Sequence, residues 1–393
     1  MGKARRAKRR VAVVTGTRAE FGILEEILRE LGRRPSLDPK LIVTGMHLLP
    51  KFGRTIDHIR RAGWRVDATV RMQSGRDDAA DEAMAVGRGV AGIARAVERL
   101  GCEMVFVLGD RIEAFAGACA AAAGRKILVH GHGGDRAAGT VDDALRNAIT
   151  RLAHVHMVAS QDAADRLRRM GEQRWRIHRV GAPGLDGIRR FRDAQRADPR
   201  GDNLRLHTLL GPIADRRYAV VAQHPLGRPA ACESAAMRDI VTAVERNGLA
   251  GVAIYPNSDP GHESIIRIIR GLERRPNWCV FKSLVREDYM RVLSRSVVLV
   301  GNSSSGIIES ASLGVNAVNV GHRQEGRLRC GPSVIDCGES LSAVVRAMRL
   351  AMRRPRPAPR RSVYGDGRSS RRIADVLERL IITPSLLLKE LAY

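Results

Sequence analysis

The sequence predicts an α/β protein made of two doubly wound parallel sheets, and three observations carry that prediction. Short runs of Val, Ile and Leu alternate with helical stretches, the rhythm of a parallel sheet covered by helices. The runs fall into two sets, separated by a charged, weakly apolar stretch at residues 189–203. The length, 393 residues, is too great for one ordinary core and suits two domains facing across a cleft.

The first set begins at residues 11–14, where an apolar run is cut off by Thr15-Gly16-Thr17-Arg18. Further runs follow at residues 41–43, 104–108, 127–129 and 155–159. The second set lies at residues 218–222, 251–255, 278–281, 297–300 and 317–320. We therefore expect domains over residues 11–190 and 205–368, with the boundary within residues 186–205. Residues 1–10 read as a basic, disordered tail. Apolar positions at helical spacing around Ile373 and Leu380 predict a helix near the end of the sequence, and Pro384 opens a further short helical piece. No internal repeat is evident.

The formal charge of +25 and the run Lys3-Ala4-Arg5-Arg6-Ala7-Lys8-Arg9-Arg10 raise the question of a nucleic-acid or acidic-lipid partner. The arginines are spread along nearly every predicted helix, aromatic residues make up only 4%, and neither zinc-finger spacing nor an RNA-recognition aromatic signature is present. A solvated basic surface is the reading, with no nucleic-acid partner. Cys102, Cys119, Cys232, Cys279, Cys330 and Cys337 are scattered, without a Cys-x-x-Cys pair or a histidine at metal-ligand spacing. They read as reduced, mostly buried thiols and imply no metal. The apolar run at residues 11–14 is too short for a signal-peptide core or a membrane span, so a soluble cytoplasmic protein with no membrane partner is expected.

In doubly wound sheets ligands gather at the carboxyl ends of the strands, and that rule selects the motifs. Thr15 to Gly22 follows the first run, Thr44-Gly45-Met46-His47 the second, Gly109-Asp110-Arg111 the third and His130-Gly131-His132-Gly133-Gly134-Asp135 the fourth. From the second half come His224-Pro225, Pro256 to Gly261 and the turn Gly301-Asn302-Ser303-Ser304-Ser305-Gly306. That turn reads as a strand-to-helix junction. Free backbone N–H groups, three hydroxyls and two glycines there suit a phosphate. A serine nucleophile is the rival reading, but its elbow needs Gly-x-Ser-x-Gly and the matching frame here is Gly301-x-Ser303-x-Ser305.

Taken in order, these motifs resemble the hydrolysing UDP-N-acetylglucosamine 2-epimerases of sialic acid biosynthesis. Further landmarks are Gly139-Thr140-Val141-Asp142-Asp143 with Arg146, Gln223-His224-Pro225, Arg323-Gln324-x-Gly326-Arg327 and Tyr364-Gly365-Asp366-Gly367. Each is common alone, and their colinear order across most of the chain is specific. The resemblance implies a GT-B-like fold, two Rossmann-type domains facing across a cleft with the C-terminal helix packing back on the first. It implies a metal-free, cofactor-free reaction on a nucleotide-sugar: UDP is eliminated across C1 and C2 to leave a glycal, and water adds to give N-acetylmannosamine. A homo-oligomer, dimer or tetramer, is also expected.

That chemistry needs a base for the weakly acidic C2 hydrogen and stabilisation of the charge that develops as UDP departs. Asp110, Asp135 and Asp142 lie at strand ends of the first half, and Asp142 shares a helix face with Arg146 at i, i+4 spacing. Asp110 and Asp142 match positions held by catalytic acids in the family. We take them as a proton-transfer set without dividing the acid and base roles. Asp110 could instead cap the following helix, and Asp142 could serve only the helix dipole. His132, Arg111 and His47 join the expected catalytic set. His224, held extended by Pro225, is expected to assist the leaving phosphate.

On the binding side, Arg18 offers a bidentate fork to the diphosphate, and Glu20 orients it. Ser303, Ser304 and Gly306 hold the diphosphate, and Glu309 accepts from both ribose hydroxyls. Asn257, Arg323 and Arg327 are further candidates. The chain departs from the family at His132 and Asp135, where many members carry glutamates, and at Asn147, where histidine is frequent. These departures fall near the sugar. They point to a divergent subgroup or to another sugar, such as a 2,4-diacetamido-2,4,6-trideoxyhexose. A non-hydrolysing epimerase is the nearest alternative, yet its Asp-Ser-Gly-Gly turn and Glu-Ala-Gly-Leu-Arg loop are absent. A glycosyltransferase of the same fold would need no such carboxylates, and a non-catalytic nucleotide-sugar-binding protein would bind UDP without turnover.

Overall fold

A computed structural model describes residues 8–74, 79–136, 141–257, 259–358 and 362–392. Residues 1–7 of the expected tail, Gly139, Thr140 and Ser258 lie outside them. The chain divides into two compact units: unit 1 comprises Met1–Asp135, Val141–Asp186 and Gly367–Tyr393, and unit 2 comprises Arg136–Thr140 and Gly187–Asp366.

Unit 1 holds strands β1 (Arg9–Thr15), β2 (Leu37–Thr44), β3 (Ala68–Val70), β4 (Met104–Leu108), β5 (Ile127–Gly131), β6 (Val155–Val158) and β7 (Ile177–Arg179). They form one sheet in the order β3-β2-β1-β4-β5-β6-β7, with every pairing parallel. Unit 2 holds β8 (Tyr218–Ala222), β9 (Ala250–Ile254), β10 (Trp278–Phe281), β11 (Val298–Gly301), β12 (Asn316–Val320) and β13 (Val334–Cys337). Its sheet runs β10-β9-β8-β11-β12-β13, again all parallel. The central strands are buried along their whole length, which is why they read as continuous apolar runs. Each sheet reverses its winding once, between β1 and β4 in unit 1 and between β8 and β11 in unit 2. Those are the crevices where ligands of such sheets bind.

The helix Ser369–Arg379 belongs to unit 1. Ile373, Ala374 and Leu377 join Val11, Phe21 and Leu24 in one core, and Leu386 adds to it from the piece Pro384–Leu387. The Asp186 carboxylate accepts the N–H groups of Ser369 and Ser370 at 2.9 and 2.5 Å, filling orphan donors at that helix start. Arg9 donates to the carbonyls of Leu377 and Leu380 at 3.1 and 2.6 Å. The last residues are strapped down by Arg176, on the carbonyls of Leu386 and Leu388, and by Lys389, on the carbonyls of Thr150 and Arg151 and on Glu172.

Three expectations change. Arg9 and Arg10 are part of β1 rather than a tail, because their backbone pairs with Leu37 and Asp38 of β2. The charged stretch expected as a linker is helical: Gly184–Ala197 and Pro199–Leu210 are helices, broken at Asp198, whose side chain caps the second by accepting from the Gly201 N–H. Of the six cysteines, all unpaired, only Cys102 is fully buried and Cys232 is exposed. No described helix is long and apolar enough to cross a membrane.

Candidate active site

In unit 1 the loop after β1 is organised by its own side chains. Thr17 caps the helix Arg18–Gly32 in a capping box with Glu20. The Glu20 carboxylate also accepts the Gly16 N–H at 2.7 Å and the Thr15 hydroxyl at 3.3 Å, so it stitches the loop that carries Arg18. Burial, with neighbouring Glu113, pushes Glu20 up to about 8 against the opposing pull of the Gly16 and Thr17 N–H groups and Arg111. Gly16 has no room for a side chain, because Glu113 fills the place its Cβ would take. Glu113 is almost fully buried, with Oε2 3.3 Å from Nε of Arg111.

His47, expected among the catalytic residues, is a packing residue. It is fully buried, edge-on to Phe21, with Nε2 3.2 Å from the Thr15 hydroxyl and Nδ1 2.7 Å from that of Thr55. Burial and the charge of Arg18 push it down to about 3. A neutral ring with both nitrogens engaged ties the loops after β1 and β2 together.

At the end of β4, Arg111 stands at the N-cap position of the helix Ile112–Ala123 without a side-chain capping bond, so Asp110 is not the cap residue. Its carboxylate meets Arg146 instead. Arg146 is 1% exposed and its Nη1 also donates to the His132 carbonyl at 3.0 Å. Burial opposes its charge, but Asp110, Asp135, Asp142 and Asp143 outweigh burial and raise its pKa. The expected pairing of Asp142 with Arg146 along one helix face is thus only part of the picture. Asp142 and Asp143 are half-buried in the first turn of Val141–Leu152.

After β5, His132 takes a left-handed backbone (φ +64°), costly for a residue with a Cβ and characteristic of sites where surroundings impose geometry. Its Nδ1 lies 2.9 Å from Oδ2 of Asp135. The pair is buried, at 9% and 7% exposure. His130 steadies the neighbouring strand end, with Nε2 donating to the Gly109 carbonyl at 2.8 Å and Nδ1 accepting from Thr150 at 3.2 Å.

In unit 2 the serine turn begins a single α turn, Ser305–Ile308, followed by a 3-10 turn, Ser310–Leu313. The longer amphipathic helix expected there does not form, since Gly314 in the left-handed conformation turns the chain into β12. A one-turn helix has little macrodipole, so anion binding would rest on hydroxyls and local N–H groups. The glycines serve packing more than phosphate approach. A Cβ on Gly306 would meet Ala317 and Leu299, and one on Gly301 (φ +131°) would strike the Ala222 carbonyl. Gly306 donates its N–H to the Ser303 carbonyl at 3.0 Å, and Ser305 shares a hydroxyl contact with Tyr289. Ser303 and Ser304 are half-exposed.

Glu309 closes that turn and is gripped by Arg286, at 2.8 and 3.0 Å to its two oxygens. A ribose would therefore share this carboxylate with a guanidinium. Asn257 donates its side-chain N–H to Asp259 at 2.6 Å and its backbone N–H to Nδ1 of His224 at 3.2 Å. Arg323 donates to the Asn302 carbonyl at 3.3 Å and Arg327 to the Arg136 carbonyl at 2.7 Å, so both brace backbone. Asn302, Arg286, Glu113 and His130 go unremarked as site residues in the sequence. Asn302, inside the serine turn, and His130, opening the His130–Asp135 motif, carry a signal there, and Arg286 and Glu113 carry none.

Two all-parallel α/β units, each with polar side chains gathered at its strand ends, define a protein of the GT-B-like class. The chain belongs to the UDP-N-acetylglucosamine 2-epimerase family, whose model matches residues 29–378. It is 34% identical over 385 residues to a UDP-N,N'-diacetylbacillosamine 2-epimerase (hydrolyzing) of Legionella pneumophila, covering 98% of this chain and 100% of that one. It is 33% identical to a UDP-N-acetylglucosamine 2-epimerase of Neisseria meningitidis, covering 83% of each. Its fold is that of the Methanocaldococcus jannaschii UDP-GlcNAc 2-epimerase solved with UDP-GlcNAc and UDP, at a TM-score of 0.76 and 15% identity, over 94% of this chain and 99% of that one.

Proposed function

We propose that this protein is a hydrolysing 2-epimerase of a UDP-linked 2-acetamido sugar. The observation that carries this reading is the cluster at the ends of β4 and β5, where Asp110 on Arg146 and His132 on Asp135 supply proton-transfer groups beside a buried cation. In the reaction a base of this cluster takes the C2 proton, the C1–O bond breaks and UDP leaves with its electron pair, giving a glycal. Water then adds, with OH to C1 and a proton to C2 from the opposite face. Ser303 and Ser304 would hold the diphosphate, Glu309 the ribose, and His224 would donate to the departing phosphate.

N-acetylglucosamine is the simplest sugar for this scheme. The end-to-end similarity to the Legionella protein favours the 2,4-diacetamido-2,4,6-trideoxy sugar. Incubation of each UDP-sugar in deuterated water, followed by NMR, tests the proposal. Free UDP with a C2-deuterated, inverted sugar is expected. UDP-sugars left unchanged beside tight UDP binding would make this a binding protein, and a C2-inverted sugar still attached to UDP would make it a non-hydrolysing epimerase.

A further inference from the structure

We infer that Asn302 is a positioning residue that aims the imidazole of His224. β8 and β11 are neighbours at the switch point of unit 2, and each ends in one of these residues' loops. The His224 N–H donates to Oδ1 of Asn302 at 2.7 Å, and Nδ2 of Asn302 donates to the His224 carbonyl at 2.8 Å. A carboxamide offers one acceptor and one donor side by side, the complement of the N–H and C=O of a single residue. Asn302 therefore extends the ladder between β8 and β11 by one step, with a side chain in place of a strand. It is fully buried, so water does not compete for either bond.

The clamp is itself held. The Asn302 carbonyl accepts from Nε2 of Gln324 at 2.8 Å, and the left-handed Gly301 brings the turn against the end of β8 so that Asn302 can reach. With the backbone of His224 fixed, the Asn257 N–H after β9 meets Nδ1 of the ring at 3.2 Å. A nitrogen that accepts carries no hydrogen, so the neutral ring bears its hydrogen on Nε2. Three strand ends thus set both the direction and the tautomer of one histidine. Asn302 shares a turn with Ser303 and Ser304, so the segment that would hold the leaving group also orients the group that donates to it. This inference rests on the proposed role of His224 as that donor.

The test compares full-length wild type with Asn302→Ala and the isosteric Asn302→Asp, which keeps the acceptor and loses the donor. Long-range proton–nitrogen NMR of histidine-labelled protein, with His224 assigned by its loss in His224→Gln, reads the tautomer without any turnover. Wild type is expected to show a single Nε2–H form at His224 and the variants a mixture. The variants' kcat should fall about 10²-fold while the Kd for UDP stays within about threefold. Asn302→Asp decides alone if the alanine variant does not fold. An unchanged tautomer, an unchanged kcat, or a UDP affinity that falls in step with kcat overturns the inference. If wild type turns over neither UDP-sugar, the proposed function fails, and the tautomer still decides whether Asn302 sets His224.

Discussion

Arg146 grips the Asp110 carboxylate with one arm of its guanidinium and the His132 carbonyl with the other, so a single buried cation joins the ends of β4 and β5. Four carboxylates, Asp110, Asp135, Asp142 and Asp143, favour that charge. Arg146→Met, which removes it and leaves them uncompensated, is expected to cost about 3–5 kcal/mol in equilibrium urea unfolding. Arg146→Lys keeps the charge and should cost clearly less. Equal losses from the two variants would show that the fork geometry matters and the charge does not.

Asp110 is held by Arg146 but lies at a loop tip, only part-buried. Asp110→Asn is expected to abolish UDP release while leaving UDP affinity within about threefold, the pattern of a group needed for the chemical step alone. Titration calorimetry beside a UDP-release assay gives both numbers. A large loss of UDP binding would reassign Asp110 to substrate binding.

Buried histidines set the acid limit of the fold. Burial pushes His47 and His130 down to about 3 and His154 down to about 4, from an ordinary 6.5. As pH falls below 6.5 the unfolded chain takes up protons that the folded chain refuses. Stability should therefore be full above about pH 7 and be lost from 6.5 down to about 4 for His154 and about 3 for His47 and His130, at on the order of 1.4 kcal/mol per pH unit for each histidine. Thermal denaturation at several pH values measures this, and a Tm flat from pH 7 to 4.5 would refute it. Protonation of His130 has a further cost, since its Nδ1 would cease to accept from Thr150 beside the strand end that supports Asp110.

Gly301→Ala adds a methyl group where the Ala222 carbonyl stands and imposes a strained φ. About 1–3 kcal/mol of destabilisation is expected, together with a loss of activity, because the turn can no longer close on β8. Gly53→Ala is the control: its φ is also positive, but its Cβ would meet nothing. Equal effects at both positions would assign the whole cost to φ and none to the close approach.

What the sequence made legible follows from how completely each segment is buried. The central strands announce themselves as apolar runs, whereas β3, β7 and β13 escape notice. All three are sheet edges of three or four residues, with faces partly open to solvent. The strand-end loops were equally visible, since glycine, serine and carboxylates cluster there. Partnerships within the site were not. Arg146 meets Asp110 across 36 positions and Asn302 meets His224 across 78, so no local spacing encodes either contact. His47 shows the converse: a histidine after a strand reads the same whether a cleft or Phe21 lies above it.

The route of the chain through unit 1 constrains the order in which a ribosome can complete this protein. β1 is made before the rest of unit 1, yet Arg9 awaits the carbonyls of Leu377 and Leu380, and the core around Val11 and Phe21 awaits Ile373 and Leu377. Everything between Gly187 and Asp366 belongs to the other unit and can close on itself first. Unit 1 is thus begun before unit 2 and completed after it, and its half-made sheet must wait, with apolar surface open, until the helix Ser369–Arg379 emerges.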